Sequence, residues 1–73
     1  MVKFKIREVR KEKGWTLLQL SEAAGISKSQ LDRIEKNQSM PGFDMMCDIA
    51  HVLDVSLYDL HEYHFKEKNP QSG

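Results

Sequence analysis

Lys28, Ser29, Asp32, Arg33 and Lys36 stand within residues 28–36, and their types and spacing suit the recognition of polar edges. If this segment is a helix with Leu31 and Ile34 turned to a core, those five side chains project from the opposite side, because residues three and four apart share a face. Lys28 and Arg33 can then donate to O6 and N7 of guanine, and Ser29 can pair with several bases. Asp32 can accept from cytosine N4, or pair with Lys28 or Lys36, each four residues away. A second set of reactive residues is Cys47, His51, His61 and His64. Cys47-x-x-x-His51 and His61-x-x-His64 have ligand spacings that zinc could use. His51 falls off the apolar stripe of its segment, Cys47 flanks it, and the tail histidines sit among polar residues, so no metal and no cofactor are expected. The chain has neither a Gly-rich phosphate loop nor a nucleophile–base pair, so no enzyme is expected. Met40, Met45 and Met46 read as flexible core filler.

The segment 28–36 is positioned by what precedes it. Thr16-x-x-Gln19 and Ser27-x-x-Gln30 are both capping boxes, each a hydroxyl residue followed three positions later by Gln, so a helix can start twice in close succession. The break between them is short and centred on Gly25-Ile26, which forces the two helices to meet steeply as a helix-turn-helix. Such a unit can present its second helix to the major groove of DNA. Ahead of it, Ile6 and Val9 give helix 1 a buried side over residues 5–13. Gly14 ends it as a left-handed cap, and Trp15 can staple the next helix to the core. Helix 2, residues 17–24, buries Leu20, Ser21 and Ala24. Asn37 can take the positive φ that closes helix 3. After the polar linker 38–42, the residues Phe43, Met46, Ile49, Ala50 and Leu53 recur at helical spacing in helix 4. Asp54 sits where that helix should stop. Ser56-x-x-Asp59 is a further capping box for a short helix 5, with Leu57, Leu60 and Tyr63 inward. The expectation is an all-α bundle of five short helices without strands, spanning residues 1–64, followed by a polar tail at 65–73.

Seventy-three residues with 40% hydrophobic content suit one small domain. No run approaches the roughly 20 apolar residues of a spanning helix. The N-terminal residues lack the apolar stretch of a signal peptide, and the single Cys47 cannot form an internal disulfide, so a cytoplasmic location without membrane contact is expected. The formal net charge is zero with a pI near 6.8, but it is unevenly spread. Residues 1–38 hold nine Lys/Arg against five Asp/Glu, a net +4; residues 39–73 hold two against six, a net −4. A chain polarised in this way can turn its basic face to a phosphate backbone.

The ordered series Ile6-x-x-Val9-Arg10, Lys13-Gly14-Trp15-Thr16, Leu20-Ser21, Gly25-Ile26-Ser27, Leu31-x-x-Ile34-Glu35 and Pro41-x-Phe43 continues through Ile49-Ala50-x-x-Leu53-x-Val55-Ser56 to Leu60. Over residues 4–61 it resembles the Cro/C1-type (XRE-like) helix-turn-helix domains of phage repressors and small bacterial regulators. The resemblance implies a lambda-repressor-like fold and a transcriptional regulator, such as a repressor, that binds double-stranded DNA. Its second motif helix would lie in the groove, with Lys28, Ser29, Asp32 and Arg33 on base edges. Phosphate contacts are expected from the helix 2 N-terminus with Thr16, from Ser27 and Lys36, and from Asn37, Gln38 and Ser39. Arg10 and Glu35 match positions that form a buried ion pair in related repressors. Because Arg10 shares a face with Ile6, its charge needs a partner. Many relatives dimerise through helix 5, which makes Val55, Tyr58, Tyr63 and Phe65 the candidate contacts for a homodimer.

Several positions depart from the pattern. Leu17 stands where many relatives carry a Gln that reaches a phosphate, and Leu18 beside it is also apolar; the two either pack under Trp15 or form a patch for a partner. Asp32 replaces a small hydroxyl residue, and residues 38–43 carry no Lys or Arg. These departures leave a second reading, a protein-interaction module or antitoxin with weakened DNA binding and a protein partner.

Overall fold

Residues 2–63 are described by the structure, a computed structural model, and they begin and end in strands. β1 (Val2–Phe4) pairs antiparallel with β2 (His61–Tyr63), in the register Val2 to Tyr63, Lys3 to Glu62 and Phe4 to His61. The backbone N–H of Lys5 continues the ladder onto the Leu60 carbonyl at 2.7 Å. Between the strands lie α1 (Ile6–Glu12), α2 (Leu17–Ala24), α3 (Lys28–Glu35), α4 (Phe43–Leu53) and a single 3-10 turn, Leu57–Leu60. Two expectations are therefore corrected. The fifth helix is one 3-10 turn, so the described residues hold four α-helices, and the chain is not all-α because a two-stranded ribbon ties its ends together. The turn is short because Leu60 must be buried while His61 leaves in extended conformation (φ −152°, ψ 159°) to join β2.

One apolar cluster holds these elements. Ile6 and Val9 of α1, Leu20 of α2, Ile26 of the turn, Leu31 and Ile34 of α3, and Met46, Ile49, Ala50 and Leu53 of α4 close on Leu60. Ser21 is buried among them, its hydroxyl donating to the Leu18 carbonyl at 2.8 Å, so a small polar residue meets the core without a lost hydrogen bond. The buried stripe of α4 begins one turn later than its spacing suggests. Phe43 is 73% exposed as the first residue of the helix, and it lines an open hollow with Val2, Met40 and Pro41 instead of filling the core. Met40 is likewise exposed, Met45 half-buried, and only Met46 fills the core. Ala24 and Leu57 are half-buried, and Tyr63 faces outward.

All four α-helices end alike. Gly14 (φ +78°), Gly25 (φ +71°), Asn37 (φ +59°) and Asp54 (φ +57°) take left-handed conformations. The residue after each sends its N–H back to a carbonyl five positions earlier: Trp15 to Arg10, Ile26 to Ser21, Gln38 to Arg33 and Val55 to Ala50, at 2.8–3.0 Å. This doubled closure satisfies carbonyls that a helix end leaves open and turns the chain sharply.

Candidate nucleic-acid interface

The angle between α2 and α3 is set by chemistry at the two ends of a very short turn. At the start of α2, Thr16 Oγ1 accepts the Gln19 N–H at 3.0 Å, and Gln19 Oε1 accepts the Thr16 N–H at 2.9 Å. At the start of α3, Ser27 Oγ accepts the Gln30 N–H at 3.1 Å, forming the forward half of a capping box. Both hydroxyls use their oxygens as acceptors in these caps, so each keeps its own proton for an outside acceptor.

α3 buries Leu31 and Ile34 and leaves Lys28, Ser29, Arg33 and Lys36 exposed, with Asp32 half-buried. No other described segment covers this side. The exposed residues fall in two stripes: Ser29 and Arg33 on the outer ridge, and Lys28, Asp32 and Lys36 on the flank toward α2. Lys36 Nζ lies 3.0 Å from Asp32 Oδ2, so the acid on this face is paired and its charge offset before any ligand arrives. Lys28 has no ion-pair partner among the described residues.

Leu17, the first residue of α2, lines two adjoining concavities on that flank. One is bounded by Lys28, Ser29 and Asp32. The other is bounded by Arg7, Arg10, Asp32, Glu35 and Lys36. Arg7 was not singled out from the sequence as a site residue. It sits three positions before Arg10 on α1, and that spacing, once Arg10 is known to face α3, is the signal that could have placed it. Leu17 is half-buried against the core cluster while Leu18 is half exposed, so the two leucines have different surroundings.

Arg10 holds the frame behind this face. Its Nε lies 2.7 Å from Glu35 Oε2 and its Nη2 3.0 Å from Glu35 Oε1, while Nη1 donates to the Trp15 carbonyl at 3.0 Å. The side chains are only 9% and 4% exposed. One guanidinium thus fastens α1, the end of α3 and the approach to α2, with the planar fork matching the carboxylate. Each of its three nitrogens donates within this frame.

At the far end of α3, Asn37, Gln38 and Ser39 line a shallow cleft with Val2, Phe4 and Met40. Asn37 Oδ1 accepts the Phe4 N–H at 3.4 Å, which ties β1 to the close of α3 and leaves the amide nitrogen of Asn37 as its free donor. The sequence-derived dimer candidates separate in the structure. Val55 is half-buried against the core, with its N–H on Ala50. Tyr58 is 85% exposed and stacks at 6.3 Å on His61, and Tyr63 is 62% exposed. Phe65 lies outside the described residues, as does His64. His61 Nδ1 lies 2.8 Å from the Leu57 carbonyl. Cys47 is a half-buried free thiol on α4, and among the described residues no three His, Cys, Asp or Glu side chains gather as metal ligands. No helix among them is long and apolar enough to cross a membrane.

A family model described as helix-turn-helix matches residues 6–60. The HTH-type transcriptional regulator SinR of Bacillus subtilis (strain 168) is 43% identical over 61 residues, covering 82% of this chain and 55% of SinR. The chain therefore spans about half the length of that curated relative. A solved structure of SinR, described as the master regulator for biofilm formation, in complex with DNA superposes with a TM-score of 0.70 at 42% identity, covering 74% of this chain and 87% of that one. A SinR/SinI protein complex gives a TM-score of 0.71 at 41% identity, covering 75% and 54%.

Proposed function

This chain belongs to the helix-turn-helix family, and from that membership we propose that it is a sequence-specific DNA-binding transcriptional regulator acting in the cytoplasm. The observation that carries the reading is the side of α3 opposite Leu31 and Ile34: uncovered, cationic at Lys28, Arg33 and Lys36, and held rigid by the Arg10–Glu35 pair. A helix of that shape fits the major groove, where Lys28, Ser29 and Arg33 reach base edges. Asp32 contributes less as a reader, because its carboxylate already holds Lys36. The backbone is gripped from both ends of the motif: by Thr16 and Ser27 through their remaining hydroxyl protons, by Arg7 beside Leu17, and by the Asn37–Gln38–Ser39 corner. Lys36 adds its charge to that grip while remaining beside Asp32.

A single recognition helix buries little surface, so two copies acting together bind better than one. Of the candidates for a dimer contact, Tyr58 and Tyr63 are exposed and can meet a second copy, while Val55 supports the core from within. A protein partner is the alternative use of the same exposed aromatics, and the relative SinR has been solved in a complex with SinI protein. Selection of bound sites from random duplexes, followed by mobility shifts at two salt concentrations, tests the proposal. A recurring site with two-fold symmetry, bound more weakly at the higher salt, is expected. Absence of retained duplex at low salt would refute it.

A further inference from the structure

Leu17 is an apolar side chain set in a polar, charged surface. It forms part of the wall of both concavities beside α3, with Lys28, Ser29 and Asp32 on one side and Arg7 and Lys36 on the other. It is half-buried: it packs against the core cluster, and its exposed part lines these concavities. The ligand edges available there are largely acceptors, donors and phosphate oxygens. Among the four base pairs, the major groove offers one apolar group, the 5-methyl of thymine. Asp32 does not spoil such a contact, since Lys36 offsets its charge at 3.0 Å. Lys28, at the first position of α3 and without an ion-pair partner among the described residues, stands at the same concavity and can donate to an acceptor on the same or the next base pair.

We infer that Leu17 is a specificity-determining residue that reads a thymine through its 5-methyl group, so that the recognition surface extends from α3 onto the first turn of α2. The inference rests on the DNA-binding reading above and names a base that this reading leaves open. Leu17 touches no backbone polar group in this role. Its contribution is the removal of one methyl and its own exposed carbons from water.

The test uses the full chain and a duplex obtained by random-site selection. Each thymine is replaced in turn by deoxyuridine, which removes the methyl and nothing else, and dissociation constants are compared for the unaltered chain, Leu17→Ala and Leu17→Gln. The unaltered chain should lose about fourfold in affinity at one thymine of each half-site, the equivalent of one buried methyl group. Leu17→Ala should bind the thymine duplex more weakly, and both variants should be indifferent to deoxyuridine at that position, whatever contact the Gln amide makes to the backbone. Melting curves report whether each variant is folded, and the deoxyuridine scan on the unaltered chain needs no variant. The inference is overturned if no thymine is penalised, or if the penalty persists unchanged in both variants. Failure of the unaltered chain to hold any duplex at low salt overturns the DNA-binding reading itself and this inference with it, which separates the two failures.

Discussion

Arg10 illustrates how one residue can be basic and yet not a ligand for phosphate. Its guanidinium is spent on Glu35 and the Trp15 carbonyl, inside a surface that solvent barely reaches. Removing Glu35 strands a buried cation, so Glu35→Ala should cost about 3–5 kcal/mol, a large part of the stability of a domain this size. Urea unfolding checks this, and Glu35→Gln should lose less because an acceptor remains. Arg33 is the reverse case: exposed on the outer ridge of α3 with no packing role. Arg33→Ala should leave the unfolding midpoint within about 0.5 kcal/mol of its starting value. It should weaken binding to the selected site by about 1–3 kcal/mol while changing binding to unrelated duplexes far less. A mobility shift against both duplexes separates base reading from simple charge loss. These two arginines could be told apart in the sequence through the face each shares: Arg10 with Ile6, Arg33 with Ser29. Arg7 and Leu17 were harder, because their importance depends on which groove they line once α1 and α2 flank α3.

Among the elements, the motif turn is the most economical. Gly25 adopts φ +71°, and a Cβ built there would meet nothing within 4 Å, so the whole penalty of a side chain is backbone strain. Gly25→Ala should therefore lower stability by about 1–2 kcal/mol with no steric clash. DNA affinity of the folded fraction should be unchanged, and thermal melts paired with titrations at low temperature would show it. The 3-10 turn has its own cap. Asp59 Oδ2 accepts both the Ser56 N–H and the Ser56 hydroxyl at 3.0 Å. The backbone hydrogen bond from Ser56, then its hydroxyl, then the charges of Lys5 and Lys13, hold the Asp59 carboxyl below its ordinary value of 3.8. The folded chain thus binds this proton less readily than the unfolded one. The resulting stability is fully present above pH 4 and is lost as pH falls through the lowered value. Melting temperatures from pH 5 to 2.5 should fall more steeply for the unaltered chain than for Asp59→Asn. Helix starts and stops were legible because capping is local: Thr16, Ser27, Gly14, Gly25, Asn37 and Asp54 act within a few residues of themselves. The strands were not, although Val2, Phe4 and Ile6 alternate with Lys3 and Lys5 in a period of two. Five residues of alternation carry little weight until a partner is found at the other end of the chain.

For the whole molecule, the charge split along the chain is only partly a split in space. The half with net +4 contains α1, α2 and α3, and so supplies the cations of the motif itself, while Lys3, Lys5 and Lys13 lie near acids of the other half: Lys3 is opposite Glu62 in the ribbon, and Lys5 and Lys13 act on Asp59. The ribbon closes this arrangement by bringing Val2 to Tyr63, and Asn37 fastens it to the end of α3. Loss of the ribbon would thus loosen the corner expected to grip the phosphates.

What the sequence determined by itself was everything that depends on neighbours along the chain: four helices and their caps, the steep turn at Gly25, the cationic side of α3, and the core positions that recur at helical spacing. Spacing alone also indicated that Arg10 needs a partner, because a charge on an apolar face requires one, while Glu35 as that partner came from the resemblance. The tertiary structure decided matters between distant residues. It turned Phe43 out of the core, shortened the last helix to one turn so that Leu60 could be buried and His61 extended, paired the two ends as strands, and set Leu17 beside Lys28. Each depends on packing and strand pairing between segments far apart in the chain, which local periodicity does not encode.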